Sequence, residues 1–249
     1  MDNSTYVALS LAQAMRRDLD VTTNNIANAN TAGFKGEHIV FNNYVHKPED
    51  TADGQDISFV IEDGSYLDNR QGPIAQTGNP LDVAVLGQGW LSYRTSEGQT
   101  AFGRDGRFTI DAEGNLITLN GSNVLDAGGG EIAIPQDAGE ITIARDGTIS
   151  TENNGVIAQL GLFDIADYQR LERIGGGLLV QPEGSGAPVL INSITSEIVQ
   201  GSIEGSNVEP VTEMTRMIEI QRAYERAINL MSSEDDLRRD MLRRVGQTT

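Results

Sequence analysis

The amino-acid sequence predicts an α+β protein: N- and C-terminal helices paired as a coiled coil, with an inserted all-β central domain and an extended connector. Apolar residues recur with a 3.5-residue period near both ends of the 249-residue chain. Of the 28 glycines, all but Gly33, Gly36 and Gly246 lie between these ends, where they favour tight turns. The predicted domains are residues 1–36 with 206–249 (coiled coil), 37–77 (connector) and 78–205 (β-rich, with the returning connector).

The N-terminal segment has the periodicity of a helix. Its seam positions alternate at spacings of four and three residues, as in a coiled coil: Ala8, Ala12, Met15, Leu19, Thr22, Ile26 and Ala29. The run ends in Asn28–Gly33, where Asn and Gly tolerate the left-handed conformation that terminates helices. We therefore predict Met15, Leu19 and Ile26 as the large interface side chains of this helix.

Residues 37–77 are polar, with Pro48–Gly54 at their centre, which predicts an extended connector with little core of its own. Beyond them, short apolar runs alternate with turn signals at hairpin spacing. The turn signals are Asp105-Gly106, Glu113-Gly114-Asn115 and Asp146-Gly147. This pattern is typical of an all-β domain.

The C-terminal segment predicts one long amphipathic helix. Pro210 suits its first turn, and Glu213 complements the positive end of the helix dipole. Its seam also alternates at three and four residues, and it supplies the predicted interface residues Met214, Met217, Tyr224, Ile228 and Met231. Because an apolar seam left in water is unstable, we expect the terminal helices to pack on each other; the alternative is that each packs separately on the central domain.

Composition excludes several classes of function. The chain has no cysteine, which rules out thiolate catalysis and Cys-based metal sites. Residues 37–205 carry −17 of the total net charge of −18, so binding to nucleic acid is not expected. No apolar run approaches the length of a membrane span, and the N-terminal residues lack a basic region, so we expect neither membrane insertion nor a cleaved signal peptide.

Candidates for catalysis are few. Gly87-Gln88-Gly89 follows a predicted strand, but Ser92 stands where a dinucleotide fingerprint needs its third glycine. His38 and His46 are the only histidines. Four carboxylates could act in pairs as acid and base, but their positions in predicted turns account for them without catalysis: Asp82, Asp105, Asp111 and Glu113. We expect no catalytic, cofactor-binding or metal-ligating residue, and no enzyme.

Three strings of the sequence resemble those of the flagellar rod and hook protein family. They are residues 24–35 (NNIANANTAGFK), residues 79–91, and residues 206–214 continuing through 221–225. The resemblance singles out as motif residues Asn24, Asn25, Asn28, Asn30, Gly33, Phe34, Asn207, Pro210, Gln221 and Arg222. Thr23, where alanine is common, and Gly103, where threonine is common, depart mildly from the family pattern.

The resemblance implies a structural subunit of the bacterial flagellar basal-body rod. In this family the terminal helices pair into an inner domain, the β domain faces outward, and subunits leave through the flagellar export apparatus. They polymerise helically with themselves and with other rod proteins, in the periplasmic space, into the shaft that transmits torque to the hook. The opening residues and residues 205–211 are most similar to the proximal-rod member, with the distal-rod member as the alternative. A hypothesis from another class is a secreted carbohydrate-binding or hydrolytic β-domain.

Overall fold

The structure is a computed structural model that describes residues 2–46, 57–182, 184, 190–193 and 195–246. It confirms the α+β class, with a helix near each end and a mostly β central region. The chain divides into two compact units. The helical unit comprises Met1–Ala27, Glu37–Tyr66 and Glu209–Thr249, and the β unit comprises Asn28–Gly36 and Leu67–Val208. Residues 28–36 fall in the β unit and residues 37–66 in the helical unit, whereas we predicted the first range in the terminal domain and the second in the connector. The predicted domain bounds stay a prediction.

The helical unit contains α1 (Asp2–Ala27) and α2 (Pro210–Gly246), which pack on each other. Pro210 begins α2, where the first helical turn needs no backbone N–H. The side chains buried along the two helices are mostly small or polar, namely Ala8, Ala12, Ala14, Asp18, Thr22 and Asn25 of α1 and Glu213, Ile220 and Ala227 of α2.

Part of the predicted connector forms secondary structure. Strands β1 (Glu37–His46) and β2 (Ile57–Leu67) pair in a two-stranded sheet. The polar centre of the connector, Pro48–Gly54, lies outside the described residues.

The other strands belong to the β unit. They are β3 (Ile74–Gln76), β4 (Val83–Leu86), β5 (Trp90–Arg94), β6 (Thr100–Gly103), β7 (Phe108–Ile110), β8 (Leu116–Thr118), β9 (Asn123–Val124), β10 (Ile141–Ile143), β11 (Thr148–Thr151), β12 (Gly155–Gln159), β13 (Leu162–Ile165), β14 (Glu172–Gly175), β15 (Leu178–Val180), β16 (Leu190–Asn192), β17 (Glu197–Gln200) and β18 (Ser202–Glu204). The main sheet has the order β14-β15-β6-β5-β9-β8-β7, with β13 joining β5 to β16, and β10-β11-β12 form a separate sheet. Strands β17 and β18, near the exit from the unit, pair antiparallel with β4 and β3.

Two clusters of buried side chains form the core of the β unit. The larger gathers aliphatic residues from most of its strands, including Val83, Val85, Leu91 and Ile198. Half of the smaller cluster is aromatic, with Trp90, Phe102 and Phe163. Each cluster combines residues that are far apart in the sequence of the unit, so the core forms only when the whole unit has folded.

Two of the three turn signals join neighbouring strands as predicted. Glu113-Gly114-Asn115 connects β7 to β8, and Asp146-Gly147 connects β10 to β11. Asp105-Gly106 is not a hairpin turn, because β6 pairs with β5 and β15 rather than with β7. Gly106 lies against Val83 instead: its carbonyl accepts the Val83 N–H at 2.9 Å, and a Cβ at Gly106 would overlap the Val83 backbone.

In the part of the chain that the structure describes, neither long helix has the apolar length of a membrane-spanning segment.

Candidate assembly surfaces and their anchoring residues

The predicted interface residues of α2 fall on two sides of the helix. Met217 and Met231 are half-buried, whereas Met214 (52% exposed), Tyr224 (37%) and Ile228 (39%) are exposed. The buried positions Glu213, Ile220 and Ala227 are spaced by seven residues, one residue before Met214, Gln221 and Ile228. The side of α2 that is buried is therefore rotated from the predicted one by about one residue, or about 100°.

The predicted seam of α1 lies closer to its buried face. Ala8, Ala12 and Thr22 are buried, and the interface residues Met15, Leu19 and Ile26 are half-buried. Small side chains at the most buried positions allow helix backbones to approach closely.

A layer of polar side chains joins α1, α2 and β1. The Arg216 guanidinium makes two contacts in this layer. Its Nη2 donates to Asp18 Oδ1 at 3.0 Å, and its Nη1 lies 2.9 Å from His38 Nδ1. Asn25 Nδ2 donates to Glu213 Oε2 at 3.3 Å. Burial raises the pKa of Asp18, and the neighbouring Arg216 opposes this rise. The layer gives the buried Asp18, Asn25 and Glu213 polar partners, and His38, which the sequence left without a role, takes part in it.

The opposite side of α2 carries an apolar surface that the described residues leave exposed. We call Val211 (78% exposed), Met214 (52%), Ile218 (49%) and Ile228 (39%) the outer stripe. Spacings of three, four and ten residues keep these side chains on one side of the helix. Large apolar side chains aligned in this way are typical of a surface that another protein covers.

Motif residue Asn25 fixes the backbone where β1 begins. Its Nδ2 donates to the Glu37 carbonyl at 2.8 Å, and its Oδ1 accepts the Glu37 N–H at 3.0 Å. The side chain is 1% exposed. This two-way bond to one peptide unit requires an amide side chain and explains asparagine at this position.

Gly33 and Phe34 are enclosed by the β unit. Gly33 has a φ of +67°, and a Cβ there would overlap the backbone of Arg104 and Asp105. Phe34 is buried, and the Arg173 guanidinium carbon lies 4.3 Å from the centre of its ring. Asn28, half-buried, accepts the Thr31 hydroxyl at 3.1 Å in the turn that leads to Gly33.

Asn207 holds two other segments of the β unit together. Its Oδ1 accepts the Gly36 N–H at 2.7 Å, and its Nδ2 donates to the carbonyls of Asp68 at 2.8 Å and Arg70 at 3.1 Å. The Asn207 N–H also donates to the Phe34 carbonyl at 3.2 Å. The chain segment that enters the unit is thereby bonded to the segment that leaves it.

Beneath this contact lies a buried charge cluster of Lys35, Arg104 and Glu204. Lys35 Nζ lies 2.7 Å from Glu204 Oε1, and Arg104 Nη1 lies 3.1 Å from Glu204 Oε2. All three side chains are at most 2% exposed. Burial lowers the pKa of Lys35, and the Arg104 charge lowers it further.

The cluster also bonds backbone groups. Glu204 Oε1 accepts the Gly72 N–H at 2.9 Å, Lys35 donates to the Arg70 carbonyl at 2.7 Å, and Arg104 Nη2 donates to the Gly87 carbonyl at 2.7 Å. Sequence reasoning did not find Arg104 and Glu204. The only signal was Lys35 itself, since a lysine within a motif that becomes buried needs a counter-charge.

The other motif residues lie on the surface: Asn24, Asn30, Pro210, Gln221 and Arg222 are exposed. The four carboxylates considered for catalysis make structural bonds or are exposed. Asp105 pairs with Arg107 at 2.7 Å, Asp82 accepts from Asn79 at 3.1 Å, Asp111 accepts backbone N–H groups of its own turn, and Glu113 is exposed. Among the described residues, no three histidine, aspartate or glutamate side chains converge as metal ligands would.

Three segments of the chain match known protein families. Residues 6–35 match the family described as flagella basal body rod protein. Residues 84–151 match the flagellar hook protein FlgE/F/G D1 domain, and residues 199–244 match the flagellar basal body rod FlgEFG protein C-terminal family. The first and last matches contain the terminal motifs, and the middle one lies in the β unit.

Whole-chain relatives are similar over nearly their full length. The flagellar basal-body rod protein FlgF of Caulobacter vibrioides is 39% identical over 248 residues, 99% of both chains. FlgF of Mesorhizobium japonicum is 37% identical over 95% of this chain and 96% of its own. FlgG of Agrobacterium fabrum is 33% identical over 93% of this chain and 95% of its own. With matches of this extent, and with the motif residues Asn25, Gly33 and Asn207 at the structural positions described above, the chain belongs to the flagellar basal-body rod protein family and is FlgF-like.

Proposed function

We propose that the chain is a structural subunit of the flagellar basal-body rod, in its proximal part, and that it assembles with copies of itself and with other rod proteins into the helical shaft that transmits torque to the hook. The observation that carries this proposal is the outer stripe of α2. Membership of the rod family, shared with FlgF of two other bacteria, supports the structural role.

The outer stripe supports the assembly proposal because its apolar side chains, being exposed, do not stabilise a free chain. Val211, Met214 and Ile218 are about half or more exposed although α2 already has a buried face elsewhere. Covering an apolar side chain of this size contributes about 1.5–3 kcal/mol. Contacts between different surface patches on successive subunits generate open helical assemblies, as a shaft requires.

The finer parts of the proposal rest on the resemblance and on local geometry. We infer that α1 and α2 form a coiled coil, since the buried positions of α2 repeat every seven residues and most of the side chains buried along both helices are small or polar. The flagellar export apparatus as a partner, a location in the periplasmic space and the proximal rather than distal position follow from the family resemblance. The hypothesis of a carbohydrate-binding or hydrolytic domain is not favoured by the relatives, and we propose no catalytic role.

The experiment compares an aspartate on each side of α2. Met214→Asp places a charge in the outer stripe, so it should leave the thermal unfolding of the purified chain unchanged and abolish swimming and incorporation into basal bodies. Met217→Asp places the charge on the half-buried side, so it should lower the unfolding temperature of the free chain. Swarm diameter, the amount of chain in purified basal bodies and thermal melts are measured for both.

Thr212→Asp is the matched control, because Thr212 is exposed and lies about 100° or more around the helix from Val211, Met214 and Ile218. It should swim and assemble normally. A Met214→Asp chain that melts like the wild type and still supports normal swimming contradicts the outer stripe as an assembly surface. A wild-type chain that is missing from purified basal bodies contradicts the rod assignment itself.

A further inference from the structure

The β unit carries the dipeptide Asn-Gly in two of its turns, and the assembly surfaces above use neither. Asn120-Gly121 lies between β8 and β9, and Asn154-Gly155 leads from β11 into β12. All four residues are exposed. Both glycines have a positive φ, +81° at Gly121 and +71° at Gly155, and a Cβ on either would meet nothing within 4 Å beyond its chain neighbours. The backbone of both glycines is therefore open to approach.

An asparagine followed by glycine can cyclise, because glycine has no side chain to shield its backbone nitrogen. This nitrogen attacks the asparagine Cγ: an N–Cγ bond forms, the Cγ–Nδ2 bond breaks, and Nδ2 leaves as ammonia with the proton of the attacking N–H. Water then opens the succinimide ring at either carbonyl and leaves aspartate or isoaspartate. In isoaspartate the main chain runs through Cγ, so the turn gains a methylene group.

The two turns differ in how the sheet holds the attacking nitrogen. Gly155 is the first residue of β12 and is paired with Thr151, at the end of a ladder of four residue pairs. Gly121 lies outside the strands, and its N–H donates to the Thr118 carbonyl at 2.9 Å. Release of Gly121 breaks this one turn bond, whereas release of Gly155 unpairs the end of a ladder. Local opening is easier where fewer bonds break, so Gly121 is the more available nucleophile.

The two asparagine side chains differ as well. Asn154 Nδ2 donates to Asp137 Oδ1 at 3.3 Å, which holds the leaving amide and places a carboxylate beside it. A negative charge there opposes the loss of a proton from the neighbouring backbone nitrogen. Among the described residues, the Asn120 side-chain amide has no hydrogen-bond partner. It lies next to Gly176, where an added Cβ would come within 2.9 Å of Asn120 Nδ2.

We propose that Asn120 is a site of spontaneous deamidation and isoaspartate formation in the folded chain, and that Asn154 is protected. The reaction adds a negative charge to the turn between β8 and β9. In isoaspartate it also lengthens the backbone of this turn and removes the amide from its place beside Gly176. The site is independent of the rod proposal, since it uses neither α2 nor the motif residues and is tested on the isolated chain.

The experiment follows both pairs in one sample. The purified wild-type chain is incubated at mildly alkaline pH in heavy-oxygen water, which labels each product on hydrolysis. Cleavage after arginine then places the two pairs in separate peptides, residues 108–145 and 146–170, for mass spectrometry. Asn120 should react roughly tenfold faster than Asn154, the ratio that one hydrogen bond to a charged acceptor provides. Both rates should rise with pH, because the attacking nitrogen must lose its proton.

The same chain unfolded in urea is the matched control, because it keeps both dipeptides and removes the contacts that distinguish them. The two rates should then be equal. Asn120→Gln retains an amide but requires a larger ring, so the labelled product should disappear from peptide 108–145 while the rate at Asn154 stays unchanged. Equal rates in the folded chain, a faster reaction at Asn154, or no reaction at Asn120 under conditions in which the unfolded chain reacts overturns the proposal.

Discussion

Glu204 is the carboxylate that pairs with two buried cations, so its charge matters more than its shape. In Glu204→Gln the side chain keeps its size, but Lys35 and Arg104 lose their counter-charge. We expect a loss of about 3–5 kcal/mol in the free energy of unfolding of the β unit, measured by urea denaturation followed by Trp90 emission. Glu97→Gln, at an exposed glutamate of the same unit, should leave the stability unchanged. Equal midpoints for the two variants would show that the cluster contributes no net electrostatic stability.

Asp111 gives the β unit a dependence on pH. The side-chain amide of Asn115 bonds its carboxylate at 3.0 Å and, with backbone N–H groups of the turn, holds the pKa of Asp111 below its ordinary value. A lowered pKa stabilises the fold above the ordinary value, about 3.9, and this contribution is lost as the pH falls through the folded pKa. Asp111→Asn should therefore melt at a lower temperature than the wild type at pH 7, and the gap should narrow below about pH 4. A gap that is constant with pH would contradict this linkage.

At the scale of the elements, α2 provides an internal comparison of its two sides. Ile220 is 5% exposed and Ile218 is 49% exposed, two residues apart in one helix. Ile220→Ala should lower the stability of the helix pair by about 2–4 kcal/mol, because it removes buried methyl groups and leaves a cavity. Ile218→Ala should change it by less than about 0.5 kcal/mol in the free chain. Far-UV circular dichroism during urea unfolding measures both, and the reverse order would mean that the side of α2 with Ile218, and not the side with Ile220, is the buried one.

At the scale of the whole molecule, the two units differ in how they are stabilised. The helical unit buries mostly alanines and polar pairs, whereas two apolar clusters fill the β unit. Because both long helices lie in the helical unit and Trp90 lies in the β unit, far-UV circular dichroism and Trp90 emission report on different units. We expect two separate thermal transitions, with helix loss at the lower temperature. Coincident transitions by both probes would show that the units unfold together.

The sequence by itself determined the α+β class, the two terminal helices, most of the turns and the family. These features depend on local chemistry: the spacing of apolar residues, Pro210 at a helix start, and Gly-containing turns such as Glu113-Gly114-Asn115. Motif positions such as Gly33 and Asn207 could also be singled out from sequence, although the structural reason for the residue at each position could not. Gly33 is needed because the backbone of Arg104 and Asp105 occupies the space of its side chain.

Only the tertiary structure decided which side of α2 is buried and which charges are paired. By size, Met214 and Ile228 are better candidates for a buried seam than Glu213 and Ala227. In the folded chain Glu213 is paired with Asn25, and small residues on both helices permit close packing, so the smaller and polar side chains are the buried ones. Glu204 lies 169 residues from Lys35 and 100 from Arg104, and no local pattern marks residues so distant as partners. Such pairing depends on the free energy of the complete fold, in which a buried charge persists only where a counter-charge meets it.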